Sequence, residues 1–263
     1  MKVYHFSFYL KEYILQKRMM RVMDFRNFDY KNHYKIDAQE FDYFEERTGA
    51  TEHDERRVHE FIISSVDTSC NTLLDIGCGN GWVAEYFCQK GVNVVSSDIS
   101  SVNTKKAIEK VKSKFHTAVT TDSYFLPLKN NSIDCVIASE IIEHLTNPQD
   151  FITELLRVIK PGGKVIITTP YREKLRYYLC IHCNQKTPIH AHIHSFDENI
   201  LSSLGDGLNC KISWKTFGNK LLIFARTYVL LRFLPFRLWK FLDVIANRFY
   251  NKPVHIIVEY KKL

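Results

Sequence analysis

The chemistry of this chain is concentrated in a glycine-rich turn and a series of spaced carboxylates. Asp75-Ile76-Gly77-Cys78-Gly79-Asn80-Gly81 follows an apolar run. Glycines let a backbone turn tightly and let a ligand approach it closely. A helix opening directly after them offers free N–H groups to a polar ligand. The spacing is G-x-G-x-G, not the G-x-G-x-x-G of dinucleotide folds, and no Gly-Lys-Ser/Thr follows, so a triphosphate-binding loop is excluded. Asp98 ends the next apolar run, and a carboxylate there can accept both hydroxyls of a ribose. Asp122 ends the one after that. It can accept from an exocyclic adenine amine while the Ser123 N–H donates to a ring nitrogen.

These residues need a scaffold that brings strand ends together. Residues 53–66 read as a helix feeding a strand at 72–76. A helix at 81–90 stops at Gly91, a strand follows at 92–97, then a basic helix at 102–114 and a strand at 116–121. Residues 133–139 and 164–169 are further strands, separated by a helix that Asn147 caps and Pro148 opens. Strands alternating with helices imply parallel βαβ units with right-handed crossovers. Residues 210–217 and 254–260 read as two closing strands. Ligands in such sheets bind at the carboxyl ends of the strands.

Leu73–Gly81, Ser96–Ser100, Asp122–Leu128, Ser132–Leu145 and Leu155–Gly163 together resemble class I S-adenosylmethionine-dependent methyltransferases of the type 11 kind, over roughly residues 52–200. The resemblance implies an α/β, Rossmann-like, doubly wound seven-stranded sheet, mainly parallel with an antiparallel last strand. It implies S-adenosyl-L-methionine as cofactor. Gly77, Gly79 and Gly81 would hold the methionine part, Asp75 its ammonium, Asp98 the ribose, and Asp122 with Ser123 the adenine. Cys78, Ile99 and Ser139 flank these positions and join the cofactor set. Such a cofactor carries no phosphate, which agrees with the missing loop lysine.

Methyl transfer from a sulfonium asks the protein to align a nucleophile and exclude water. A base is needed only for an acceptor protonated near neutral pH. Glu140 and His144, after the fourth strand, are the catalytic candidates. The alternative is that Glu140, Glu143 and His144 cap the turn. Glu140-x-x-Glu143-His144 with a later histidine also resembles the Mg²⁺ or Mn²⁺ site of small-RNA ribose 2′-O-methyltransferases. Further along, Cys180-x-x-Cys183 precedes His190, His192 and His194. Cys180, Cys183, His192 and His194 form a candidate zinc set, with an inert pair or a substrate-loop wall as alternatives.

Two segments lie outside this frame. Residues 1–51 are rich in aromatic residues and alternating charge and read as an N-terminal arm or lid, with a helix over 3–22; residues 52–263 form the methyltransferase domain. Residues 219–252 are apolar, aromatic and basic, with Asp243 as their one acid. Pro235 should break them into two helices. On the second, Arg237, Lys240, Asp243 and Asn247 fall on one side, opposite Leu238, Phe241, Leu242 and Ile245. Such a segment can pack on the sheet, form a lid, pair two copies, or lie on a membrane surface.

The 263 residues carry 36 Lys+Arg against 29 Asp+Glu, and the net charge of +7 suits an anionic partner such as a phospholipid surface, ahead of nucleic acid. Seven scattered cysteines, an odd number, point to reduced thiols and a cytoplasmic setting. No secretory signal is evident at the start. The reading is an enzyme that methylates a small-molecule or lipid-linked acceptor at oxygen. Its alternatives are a metal-dependent RNA ribose methyltransferase and a non-catalytic cofactor-binding regulator or scaffold.

Overall fold

The computed structural model describes residues 28–224 and 226–263, so the helix expected over 3–22 lies outside the described residues. Helices α1 (Tyr30–Glu40) and α2 (Gly49–Ser65) precede strand β1 (Thr72–Ile76). Then come α3 (Trp82–Cys88), β2 (Asn93–Asp98), α4 (Ser101–Lys110) and β3 (His116–Thr120). β4 (Ile133–Ser139), α5 (Pro148–Val158) and β5 (Ile159–Pro170) follow. A small hairpin of β6 (Tyr177–Leu179) and β7 (Lys186–Pro188) leads to α6 (Glu198–Ser203) and β8 (Cys210–Asn219). Helices α7 (Lys220–Phe224), α8 (Tyr228–Leu231) and α9 (Phe236–Phe249) lie before β9 (Pro253–Lys262).

Seven strands form one sheet in the order β3-β2-β1-β4-β5-β9-β8. β1 to β5 pair in parallel, and β9 runs antiparallel to both β5 and β8. This is the expected fold class. The chain moves outward from β1 to β3, then crosses back to β4 on the other side of β1. That reversal opens a crevice at the carboxyl ends of β1 and β4.

Alternate side chains cover the two faces of the sheet. Leu74, Val136, Ala138, Val165 and Ile167 pack against Phe151, Ile152 and Leu155 of α5. Leu73, Ile137 and Ile166 pack against Phe61 and Ile62 of α2 and Val83 of α3. A sheet buried on both faces needs strands that are apolar nearly throughout, which is how these strands read. The start of α5 is fixed locally: the Asn147 side chain accepts the Asp150 N–H, and Pro148 occupies the first turn.

Several boundaries shift by a few residues, and three differences from the sequence reading have a clear physical form. α4 ends at Lys110, because Val111 leaves helical geometry as it and Phe115 turn into the core layer. β5 runs from Ile159 through the Pro-Gly-Gly expected to be a bare helix stop. The segment after β8 holds three helices, not two, and Pro235 marks the start of the third. Among the described residues no helix is long and apolar enough to cross a membrane.

Candidate active site

The crevice begins where β1 ends. Gly77 and Cys78 both donate their backbone N–H to Ser97 O, at 2.8 and 3.0 Å, which ties the turn to β2. Gly77 sits at φ +67°, and a Cβ there would lie 2.3 Å from Ile141 Cδ1. The turn is therefore pressed against the loop that follows β4. Gly79, at φ +43°, faces open space, with only Gly77 O at 3.9 Å from a built Cβ. A left-handed residue with nothing over it leaves backbone bare for a ligand. Gly81 caps α3 in the same left-handed region, and Cys78 is buried beneath the turn.

Asp75 is 3% exposed, and its Oδ2 has no hydrogen-bond partner. Burial, with the charge of Asp98 behind it, pushes this carboxyl up to about 8. An orphaned buried carboxylate oxygen is costly alone and is relieved by a cation. Asp98 accepts from Ser100 N at 2.8 Å and from Asn103 Nδ2 at 3.2 Å. Burial raises it on balance, although those bonds pull the other way. The residues thus fit an ammonium beside Asp75 and a diol at Asp98. Ile99 and Ser123 lie half-buried beside these acids, and Ser139 shares a hydroxyl–hydroxyl contact of 3.1 Å with Thr168 at the end of β4.

Asp122 is not free in this structure. Tyr30 donates its hydroxyl to it at 2.7 Å, and Lys31 pairs with it at 2.9 Å. Burial would raise its carboxyl, but these two donors hold it below its ordinary value. Tyr34, further along α1, meets the His144 ring edge-on at 5.8 Å. The helix therefore lies across the mouth of the crevice, from the end of β3 to the loop after β4.

Beyond β4 the chain is strained. Glu140 adopts φ +55°, a left-handed conformation unusual for a side chain that size. Its N–H reaches Thr168 O, and its Oε1 lies 3.8 Å from His255 Nδ1. His255 Nε2 lies 2.9 Å from Asp54 Oδ2. Burial alone would lower the His255 imidazolium. Asp54 and Glu140 outweigh it and raise His255 to about 10. Asp54, His255 and Glu140 thus form a carboxylate–imidazolium–carboxylate chain that ends at the crevice.

The predicted zinc set is not brought together. Cys180 and Cys183 sit at the tip of the β6–β7 hairpin, with Cys183 exposed. His194 Nε2 contacts Leu145 O at 2.9 Å, and His190 is exposed. His192 instead joins Glu143 and His144, whose ligand atoms and its own lie within 4.8 Å of one another. The backbone decides this: Glu143 O accepts the N–H groups of Ile193 and His194, which pins the segment beside the loop after β4. Glu143 is 1% exposed; Thr169 donates to one carboxylate oxygen, and the other has no partner. His144 Nδ1 also has none, and burial lowers its imidazolium to about 4. His192 Nδ1 lies 2.6 Å from Glu173 Oε2, which leaves Nε2 free for a cation.

Sequence reasoning paired none of Tyr30, Asp54, Glu173 and His255 with the site. Asp54 and His255 are 201 residues apart, and no local pattern links them.

Residues 74–167 match a family model described as a methyltransferase domain. A ubiquinone biosynthesis O-methyltransferase of Rickettsia canadensis is 36% identical over 128 residues, covering 46% of this chain and 54% of that protein. The corresponding protein of Rickettsia conorii is 37% identical over 123 residues, covering 46% and 43%. The chain spans about half the length of the curated relatives it matches. Among solved structures, an S-adenosylmethionine-dependent methyltransferase from Archaeoglobus fulgidus superposes with a TM-score of 0.57 at 18% identity, covering 80% of this chain and 94% of that one. The [4+2]-cyclase SpnF superposes with a TM-score of 0.58 at 19% identity, covering 83% and 84%. The second likeness shows that this fold also serves a different reaction. The glycine turn with its strand-end acids and the strand order thus agree with the methyltransferase-domain match over residues 74–167 and with the fold of the superposed S-adenosylmethionine-dependent methyltransferase.

Proposed function

We propose that the protein binds S-adenosyl-L-methionine and transfers its methyl group to a hydroxyl of a small or lipid-linked acceptor. The observation that carries this reading is the trio Asp75, Asp98 and Asp122 at three strand ends around a bare left-handed turn. The cofactor supplies the activated methyl group when bound. Asp75 would hold its ammonium, Asp98 its ribose, and Asp122 with the Ser123 N–H its adenine. Occupying Asp122 in this way displaces Tyr30 and Lys31, so α1 works as a lid.

The acceptor side belongs to Glu140. His255 beside it orients Glu140, whose carboxylate takes the hydroxyl proton as the oxygen attacks. The relatives' printed name, an O-methyltransferase of ubiquinone biosynthesis, supports oxygen as the atom methylated. Incubation with methyl-labelled cofactor and prenylated phenols or cell lipid extract tests it. Label in a base-stable ether product is expected; label in no lipid or phenol fraction overturns the acceptor class.

One observation favours a metal-assisted version. Two imidazoles and a carboxylate suit Zn²⁺, Mn²⁺ or Co²⁺ better than Mg²⁺. Such an ion at Glu143, His144 and His192 would hold the acceptor oxygen. Calorimetric titration of the purified, chelator-treated protein with Mn²⁺ and with Zn²⁺, against His192→Ala, decides it. Equal heats from both proteins remove the metal.

A further inference from the structure

The insertion between β8 and β9 is mounted inside out. Helix α9 buries its acid: Asp243 is 2% exposed and accepts the N–H groups of Gly218 and Asn219 at 3.2 and 2.9 Å. Trp239 is buried on the same side, with the Arg57 guanidinium 4.9 Å from its ring. The opposite side carries Leu238, Phe241, Val244, Ile245 and Phe249, all exposed; Phe241 keeps 60% and Phe249 86% of its surface in solvent. Leu230 and Phe233, from the segment before α9, are also about three-quarters exposed. The sequence reading offered the sheet as one place for this apolar side, and the structure turns it outward.

The orientation is fixed rather than loose. Arg57, itself 1% exposed, donates to Leu231 O at 2.8 Å and Leu234 O at 3.1 Å. Arg56 donates to Arg232 O at 2.7 Å. Asn219 Nδ2 reaches Asn247 Oδ1 and Tyr250 O, at 2.8 and 2.6 Å. Turning the apolar side inward would break this polar mounting and expose Trp239. Exposed apolar patches of this kind on soluble folds mark interaction surfaces.

We propose that this face seats the protein on an anionic lipid bilayer. Charge selects the occupant. Lys220, Arg226, Arg232, Arg237, Arg248 and Lys252 are all exposed, and Asp243, the segment's one acid, is buried. On α9, Arg237 and Arg248 stand near its two ends on the exposed side, so Arg237 does not share the buried side with Asp243 as the sequence reading had it. Face-to-face pairing of two copies would set these cations against their own kind. Anionic headgroups neutralise them while the phenylalanines enter the interface. The same insertion roofs a cavity of about 230 Å³, lined by Leu222, Tyr228, Leu231 and Trp239 on one side and by His53 and Asp54 on the other. Asp54 is the far end of the chain that leads through His255 to Glu140. A lipid-linked acceptor drawn from the bilayer would reach the crevice from this side, a consequence that rests on the proposed function.

Vesicle flotation of the full chain tests the surface without relying on methyl transfer. Phosphatidylcholine vesicles containing phosphatidylglycerol should float the protein, and vesicles of phosphatidylcholine alone should not. Phe241→Asp with Phe249→Asp, and separately Arg237→Glu with Arg248→Glu, should each reduce the floated fraction at least about tenfold; each cation lost from such a surface weakens partitioning about fivefold. Raised salt should act in the same direction. These side chains are exposed, so folding should survive, and an unchanged melting temperature and cofactor affinity confirm it. No flotation of the parent chain, or flotation indifferent to both variants, overturns the proposal. So does a concentration-dependent dimer that the phenylalanine variant dissolves, or an acidic protein partner bound in place of vesicles. Loss of methyl transfer with flotation intact would count against the proposed reaction and leave the membrane surface standing.

Discussion

Asp98→Asn removes one charge and keeps the shape. Asp98 has two duties in the structure. Its Oδ1 accepts the Ser100 N–H at 2.8 Å, which shapes the entry to α4, and its Oδ2 accepts from Asn103 at 3.2 Å. An asparagine keeps the first acceptor, so the turn and the fold persist. What it loses is the capacity to accept both ribose hydroxyls. Hydrogen bonds to a charged group contribute about 1.5–3 kcal/mol each. With one bond lost outright and one weakened to neutral strength, the loss is about 3 kcal/mol, or roughly 150-fold in affinity. Part of this is recovered, because burial already raises the free Asp98 and makes its charge costly. A loss between about 30-fold and 150-fold is therefore expected. Titration calorimetry with S-adenosylhomocysteine measures it, with thermal unfolding as the control for the turn. An affinity within threefold of the parent, in a variant of unchanged melting temperature, would show that the ribose does not sit at Asp98.

Other outcomes follow from the same geometry. Tyr30→Phe with Lys31→Ala frees Asp122 and should tighten cofactor binding about tenfold, since the Tyr30 bond is charge-assisted and Lys31 is half exposed; weaker binding would show that α1 seals the site instead of competing for it. Asp75 stands near 8 in the free protein, and an ammonium beside it needs the carboxylate. Cofactor affinity should rise by up to about tenfold per pH unit between pH 6 and 8; a flat profile removes Asp75 from the ammonium. His255 titrates near 10 when folded, against 6.5 in the free side chain. It therefore contributes stability that is whole below about pH 6.5 and disappears as pH climbs through 10. His255→Gln should lower the melting temperature at pH 6 by more than at pH 10, and equal losses at both would refute the pairing. Glu140→Gln should cut kcat about a hundredfold or more with cofactor affinity unchanged, as single-turnover kinetics and calorimetry would separate.

Much of the candidate crevice is legible along the chain. Each strand declares itself by its apolar run, and the connectivity of parallel units allows few arrangements. The glycine turn, Asp98 and Asp122 each end a strand, so naming the strands places all three at one edge. The surroundings of Glu140 and His192 are not legible in this way. Glu140 reads as one acid in a turn, and its link to His255 and Asp54 exists only because β9 pairs beside β5 and brings His255 opposite Pro170. His192 reads as part of a cysteine–histidine cluster until the Glu143 carbonyl pins its neighbours beside the loop after β4.

The insertion draws the division most clearly. The sequence by itself determined that residues 219–252 are amphipathic, basic and divided at Pro235. It could not say which side of the helix faces in, because periodicity has no inside until something packs. Tertiary structure decided that: the end of β8 presents N–H groups that need an acceptor, Asp243 supplies it, and satisfying those buried donors turns the phenylalanines outward.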